Sequence, residues 1–414
     1  MPLSFVSPAG SVVAAGTNLI AVTYGLVRFG YGLYLPQLST EFALSAHTAG
    51  VIAAGSFLAY CAAAAVAQQL IGRSRARMAL WSAGCVTAVG SALVAASWTP
   101  AALAAGVLVS GSGAGAASPA LVTAVAATVQ ARHTARAQAI VNAGTGIGVV
   151  VGSLVVVIAP QGWRPAWAAA ALAALGATTW ADYATRWPPG AAAHAVTVPV
   201  PTPAVGTQLA CPPRPEPLTP QPRLSPPRQA YVARDLLRPA LAAAAAGAGS
   251  AAVWTFGRDV LTTTGGLPPR TTALLWCVLG GASVLGTLSG DAVRLLGLRG
   301  AWVLTVLLTA AGTALLAVAP SSVAAAALAM AVFGGSYTAL SGVLIGWASA
   351  VRPRTSGQAT ASLFIALTAG QAVGAAVLGA ITEATSTTTA FLVATAVTAT
   401  AVFAAPTTTR PDEP

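Results

Sequence analysis

The stretch ARHTARAQA, Ala131 to Ala139, returns 220 positions later as VRPRTSGQA, Val351 to Ala359, with Arg132 matching Arg352, Gln138 matching Gln358 and Ala139 matching Ala359. Each copy follows a Gly- and Ser-rich apolar run, GSGAGAASPAL (Gly111 to Leu121) in one case and GGSYTALSGVL (Gly334 to Leu344) in the other. Further up each half, Phe29-Gly30 is echoed by Phe256-Gly257, and Arg28 and Arg258 lie at similar depth, about 26 Å into their helices at about 1.5 Å per residue. The chain reads as one plan written twice.

Of the 414 residues, 56% are hydrophobic and 7% are charged, against about 25% charged in a soluble domain. A bilayer crossing takes about 20 apolar residues. The expected spans are 11–36, 48–71, 78–98, 101–129, 137–159, 163–182, 239–263, 271–291, 300–319, 322–350, 357–381 and 387–406. This is an all-α membrane protein of 12 transmembrane helices in two pseudo-symmetric six-helix halves. The expected units are an N-terminal bundle over 1–183, a linker over 184–238 and a C-terminal bundle over 239–414. Thirteen of the 28 prolines fall between Pro188 and Pro227, a density that favours extended, solvated backbone.

Every basic residue is Arg, and the net charge is +11. In a soluble protein that charge would suggest nucleic acid, but here the arginines occupy short breaks between apolar runs, so no nucleic-acid partner is expected. Cytoplasmic loops retain positive charge. With the N-terminus inside, the inner short loops hold Arg73, Arg75, Arg77, Arg132, Arg136, Arg294, Arg299, Arg352 and Arg354, and the outer side holds Arg164, Arg258 and Arg270. Both termini are therefore expected in the cytoplasm, with the linker on the same side. The first ten residues, MPLSFVSPAG, lack the basic start of a cleaved signal peptide, so the first apolar run is expected to be retained. Cys61, Cys85 and Cys277 lie in apolar runs and Cys211 in the linker, without the spacing of a metal or disulfide framework.

The first span carries the most polar chemistry. In TYGLVRFGYGLYLPQL, Thr23 to Leu38, regular helical periodicity puts Tyr24, Arg28, Tyr31 and Leu35 on one face and Gly25, Phe29, Gly32 and Pro36 on the next. An Arg at mid-helix costs about 2.5–3.5 kcal/mol on insertion scales, so such residues face a cavity or a partner. Arg28 either lines a central cavity with the two tyrosines or snorkels outward past Pro36; the cavity is the favoured placement. Asn142, at the head of NAGTGIGVVVG, Gln371 in the pseudo-equivalent eleventh span, Arg258 at the depth of Arg28, and Trp254, one turn before Arg258 and placed for a cation–π contact, are expected to line the same cavity. No carboxylate sits centrally in a span: Glu41, Asp259 and Glu383 fall near outer ends and Asp182 and Asp291 near inner ones. A cavity with an Arg and no acid favours anionic or neutral solutes. If protons are coupled, Asp259 is the candidate carrier.

Six spans, a long loop and six more spans resemble the major facilitator superfamily over essentially the whole chain. Two degenerate copies of that family's loop signature, G-x-x-x-D-R-x-G-R-R, carry the likeness. The later one, GTLSGDAVRLLGLRG, holds Gly286, Asp291, Arg294, Gly297 and Arg299; the earlier one, QQLIGRSRARMA, keeps Gly72, Arg73, Arg75 and Arg77 but has Gln68 and Gln69 where the acid would stand. The first helix also looks like the R-F-x-Y-x-x-x-L-P pattern of a group of bacterial facilitators, through Arg28, Phe29, Tyr31, Leu35 and Pro36. The resemblance implies a monomeric secondary active transporter in a bacterial cytoplasmic membrane, an exporter of a small organic solute that works by alternating access. It further implies that Gly72, Arg73, Asp291, Arg294 and Arg299 act in a cytoplasmic gate. The chain departs from proton-coupled drug exporters of the family, having Val107 where they carry an Arg and no Pro soon after Gly148 or Gly152.

Other classes compare poorly. His47, His133 and His194 fall in expected loops without acidic companions, which leaves no acid–base pair for an enzyme. A P-loop needs Lys, and none is present, so no cofactor and no direct ATP drive are expected. An importer of a small organic anion, or a non-transporting sensor on the same fold, are the alternatives.

Overall fold

In the computed structural model, which describes residues 7–187 and 234–406, the apolar runs are helices joined by tight turns. They are α1 (Pro8–Phe42), α2 (Ala46–Gly72), α3 (Ala76–Ala95), α4 (Pro100–Thr128), α5 (Ala131–Ile158) and α6 (Trp163–Ala184) in the first half. The second half holds α7 (Arg234–Thr263), α8 (Pro269–Ala282), α9 (Ser289–Val318), α10 (Val323–Val351), α11 (Ser356–Ala384) and α12 (Thr387–Thr400). Among the described residues, nine helical segments are long and apolar enough to cross a membrane by length and composition. One of these, Pro269–Val318, contains both α8 and α9; α6 and α12 complete the set of twelve. Most of the proline-rich segment, with Cys211 and His194, lies outside the described residues.

Several helix ends differ from the expected ones for local reasons. The charged stretch at Ala131 is already helical, so α5 starts six residues before the expected 137. His47 and His133 accordingly stand in first turns rather than loops. In α1 the chain continues through Pro36 to Phe42 and ends where Ala43 takes a left-handed conformation, φ 48°. A continuous helical run joins α8 to α9 through the 3-10 turn Ser283–Leu288 and is broken at Gly297, whose φ of 69° suits a residue without Cβ. Chain reversal there therefore falls on the glycine of the loop signature. At the other end, α12 stops at Thr400 instead of 406.

Polar contacts identify the two ends of the bundle. At one, here the far end, Arg164 at the start of α6 donates to Glu41 at 2.6 Å and to the Ser97 carbonyl at 2.5 Å, while Gln37 donates to the Pro160 carbonyl at 3.1 Å. At the opposite, near end, Arg77 at the start of α3 grips Asp182 at the end of α6 with two bonds of 2.8 and 2.7 Å, and the Trp187 indole donates to the same carboxylate at 2.8 Å. Arg77 of the first loop copy, which has no acid of its own, thus pairs with an acid from the end of α6.

Small residues let helices within each half touch through their backbones. A Cβ on Gly144 or Gly148 of α5 would overlap the Thr17 or Ala21 carbonyl of α1. In the second half, Gly370 and Gly374 of α11 meet the Ala244 and Ala248 carbonyls of α7 in the same way. The two halves thus share one packing device at equivalent crossings. Between the halves, α1 packs on α7, α2 on α11 and α5 on α8. These contacts run from the far end, where the His47 amide donates to Glu383 at 3.0 Å, to mid-depth, where Gly146 meets the Gly280 carbonyl. Toward the near end of the α2–α11 seam, Gln68, Gln69 and Gln358 are exposed. The halves are closed together at the far end.

Candidate functional site

Arg28 ends a π-helical segment, Ala21–Arg28, inserted in α1 and closed by the Phe29 amide donating to the Tyr24 carbonyl at 3.1 Å. The widened turn coincides with the closest crossing of α1 and α5, where a Cβ on Gly25 would overlap the Thr145 carbonyl. A π turn holds an extra residue, so the helix beyond it is rotated relative to regular α periodicity. Gly25 and Gly32, expected on one packing face, accordingly meet different helices: Gly25 meets α5, whereas Gly32 meets the Trp254 backbone of α7. The sequence carries no plain signal for this insertion.

The rotation points Arg28 inward. Its side chain is 9% exposed, so it does not snorkel. From Nη2 it donates to Gln371 Oε1 at 3.1 Å and to Thr368 Oγ1 at 3.4 Å, both on α11. Its guanidinium carbon lies 4.0 Å from the ring centroid of Tyr60, 5.4 Å from those of Tyr24 and Phe57, and 5.5 Å from that of Phe29. Such ring faces attract a desolvated cation. Among the described residues Arg28 forms no ion pair.

Tyr24, Tyr31, Gln371 and Trp254 gather around this cation. The Tyr24 hydroxyl is hydrogen-bonded to the Tyr60 hydroxyl at 2.8 Å and to Ser118 at 2.9 Å, and the Tyr31 hydroxyl donates to the Ala49 carbonyl at 3.1 Å. Gln371 Nε2 donates to the Tyr337 hydroxyl at 2.9 Å, extending the network to α10. Trp254 stacks on Phe29 across the interface between halves at 3.8 Å between centroids, instead of meeting the arginine one turn on. Arg28, Phe29, Tyr31, Gly32, Ala53, Ser56, Phe57, Trp254 and Thr255 enclose a cavity of about 10 Å³.

The remaining expected site residues stand elsewhere. Arg258, expected as the second cation of the cavity, is fully buried in the far-end contact. It donates to the Leu33 carbonyl at 2.5 Å, Gln37 Oε1 at 2.8 Å, Thr272 Oγ1 at 3.1 Å and the Pro269 carbonyl at 3.1 Å, tying α7 to α1 and α8. Asp259, beside it, is half-buried and lies within electrostatic range of Tyr31; its carbonyl accepts from Thr263 Oγ1 at 2.8 Å, while its carboxylate makes no hydrogen bond or ion pair among the described residues. Asn142 is exposed, one turn toward the near end from Gly146, and is not part of the Arg28 cluster. Asp291 and Arg294 pair with each other at 2.9 Å on an exposed turn, and do not bridge the halves. Gly72, Arg73 and Arg299 are likewise exposed. The pair expected to lock the near-end gate is thus a local surface contact with the halves arranged as they are here.

Sequence reasoning missed Phe57, Tyr60, Thr255, Tyr337 and Thr368. Phe57 and Tyr60, spaced three apart inside an apolar run of α2, share a helix face, but that spacing alone does not separate a site from a core.

A two-bundle helical fold with a cation held at the seam of its halves defines a membrane transporter architecture. The family model described as Major Facilitator Superfamily matches residues 17–353, and the chain belongs to that family, a family of transporters and not of enzymes. No curated protein matches by sequence. Among solved structures, the chain is similar to the nucleoside transporter NupG at a TM-score of 0.70 and 12% identity, covering 96% of this chain and 98% of that one. It is also similar to the D-xylose-proton symporter, at 0.70 and 15% over 96% and 97%. A bacterial homologue of the human lysosomal transporter Spinster, in an inward-facing and unoccupied conformation, aligns at 0.67 and 14% over 96% and 95%. At these identities the likeness is one of fold.

Proposed function

We propose that this multi-pass membrane protein is a secondary active transporter that exports a small organic solute across a bacterial cytoplasmic membrane by alternating access, with its termini in the cytoplasm. The observation that carries the reading is the placement of Arg28: a buried cation, without a carboxylate partner among the described residues, that bonds from one half to Gln371 and Thr368 of the other. Groups contributed by both halves to one midplane site are what alternating access requires. Tyr24, Tyr31, Trp254 and Gln371 complete the solute site, and Arg258 acts on its far-end closure.

With the termini inside, the far end is the outer face, and the halves meet there through Arg258 and the Glu383 contact. Loading from the cytoplasm is the first step of export, and this arrangement supports it. Asp259 is the candidate proton carrier, being an unpaired carboxylate close to Tyr31 of the site. The Asp291–Arg294 turn, with Gly72, Arg73 and Arg299, is assigned to the near-end gate in the opposite state. Directional flux in proteoliposomes of defined orientation tests the reading. Movement from the near-end side to the far-end side, dissipating an imposed proton gradient, is expected; flux that runs only the other way would overturn export.

A further inference from the structure

Three buried donors around the small central cavity have no partner: Arg28 Nε, Trp254 Nε1 and Thr255 Oγ1. Thr255 is the informative member. A buried helical hydroxyl normally bonds back to the carbonyl one turn earlier, as Thr23, Thr87, Thr178 and Thr398 do here. Among the described residues, every other threonine in the buried class has a hydrogen-bond partner; the second unpaired threonine hydroxyl, that of Thr382, belongs to a partly exposed residue near the end of α11 and does not line the cavity. A buried polar group left unpaired costs about 1–3 kcal/mol. Three such groups on residues that line one cavity, one of them on a cation, make that cavity an acceptor-binding pocket.

Its charge is equally restrictive. Arg28 contributes one positive charge, whereas Arg258 is already saturated by carbonyl, hydroxyl and amide oxygens and does not line the cavity. No carboxylate lines it; Asp259 lies within electrostatic range of one lining residue, Tyr31. The rings of Phe29, Tyr31, Phe57 and Trp254, with Gly32, Ala53 and Ser56, form the rest of the wall. The cavity, at about 10 Å³, has room for about one oxygen-sized atom.

From these observations we infer that the Arg28–Trp254–Thr255 triad is an anion subsite that takes one carboxylate oxygen of a monoanionic solute with an apolar or aromatic body. This inference rests on the transporter reading and deepens it by naming the solute class. Trp254 and Thr255 come from the second half and Arg28 from the first, so the head group bridges the two and its binding differs between the states of the carrier. Only such a difference lets a ligand shift a conformational equilibrium.

The test is binding to the purified full chain in lipid nanodiscs, read by isothermal titration and thermal shift. Acetate, benzoate and 1-naphthoate are the probes, with benzamide, benzylamine and chloride as controls. Benzoate or naphthoate is expected to bind, with benzamide and benzylamine at least about ten-fold weaker. Thr255→Val, which keeps side-chain shape, and Trp254→Phe, which keeps an aromatic ring but removes the indole N–H, are each expected to weaken carboxylate binding about ten-fold, the scale of one hydrogen bond to a charged group. Arg28→Gln is expected to abolish it. Equal binding of benzoate and benzamide, binding of chloride alone, or no response to any of the three carboxylates would overturn the assignment. So would unchanged affinity in the folded Thr255→Val and Trp254→Phe variants, which is the result expected if the donors serve only an ordered water. Carboxylate binding without flux of the same compound would instead count against the transporter reading and leave the subsite standing.

Discussion

Arg28 Nη2 donates to Gln371 Oε1 at 3.1 Å, so that the cation of the first half is held by an amide of the second. Gln371 is itself oriented by its 2.9 Å bond to Tyr337. If this bond is a working contact between halves, Gln371→Leu should leave the fold intact and reduce flux about ten-fold or more, the scale of one charge-assisted hydrogen bond. Flux measured at matched membrane expression checks this, and a wild-type rate would remove Gln371 from the site.

Arg258 makes four hydrogen bonds that cross from α7 to α1 and α8. All of its bonds to α1 must break when the far end opens. Arg258→Met should therefore weaken far-end closure, since bonds to a charged group each contribute about 1.5–3 kcal/mol. In a cysteine-free background, labelling of Ala53→Cys by an impermeant maleimide from the far-end side should rise relative to the parent. Unaltered labelling would mean that closure is held by other contacts.

Gly32 tests closure sterically. A Cβ at this position would overlap the Trp254 carbonyl, whereas one at Gly176 of α6 would meet open space. Gly32→Ala should separate α1 from α7 and lower transport strongly, and Gly176→Ala should not. Comparable rates in the two variants would show that the α1–α7 approach is dispensable.

Two near-end ion pairs predict opposite outcomes. Asp291 and Arg294 are exposed at 50% and 74% of their side chains, and exposed pairs contribute about 0–1 kcal/mol. Asp182, by contrast, is buried and takes two bonds from Arg77 and one from Trp187. Asp182→Asn should lower the melting temperature measurably, while Asp291→Asn should leave it unchanged and alter only transport. A stability loss on Asp291→Asn would show a further partner for that residue.

Asp259 bears on coupling. Asp259→Asn should abolish transport driven by a pH gradient while preserving solute exchange at equilibrium. Gradient-driven transport at the wild-type rate would assign the proton elsewhere.

The architecture was legible because bilayer physics writes long apolar runs into the chain, and duplication wrote them twice. The internal repeat therefore located the equivalent helices, and the structure pairs α1 with α5 and α7 with α11 through the same glycine device. Arg28 was visible as a charge in an apolar run, and Gln371 as a polar group in the matching helix. Arg258 looked equivalent to Arg28 by depth but is consumed by carbonyl oxygens, a fate that depends on how α1 meets α7 and leaves no trace in spacing. The π segment escaped for a similar reason: it follows from a tight α1–α5 crossing, and regular periodicity cannot report it. Tyr60 and Thr255 are ordinary residues in apolar helices until packing brings them to Arg28.

The central claim, solute transport through a site built on Arg28, is tested most directly by counterflow of radiolabelled benzoate in proteoliposomes. Wild-type protein is predicted to accumulate label transiently against unlabelled benzoate inside the vesicles, and Arg28→Gln, reconstituted to the same level, is predicted not to. Equal counterflow by the two proteins would contradict the account.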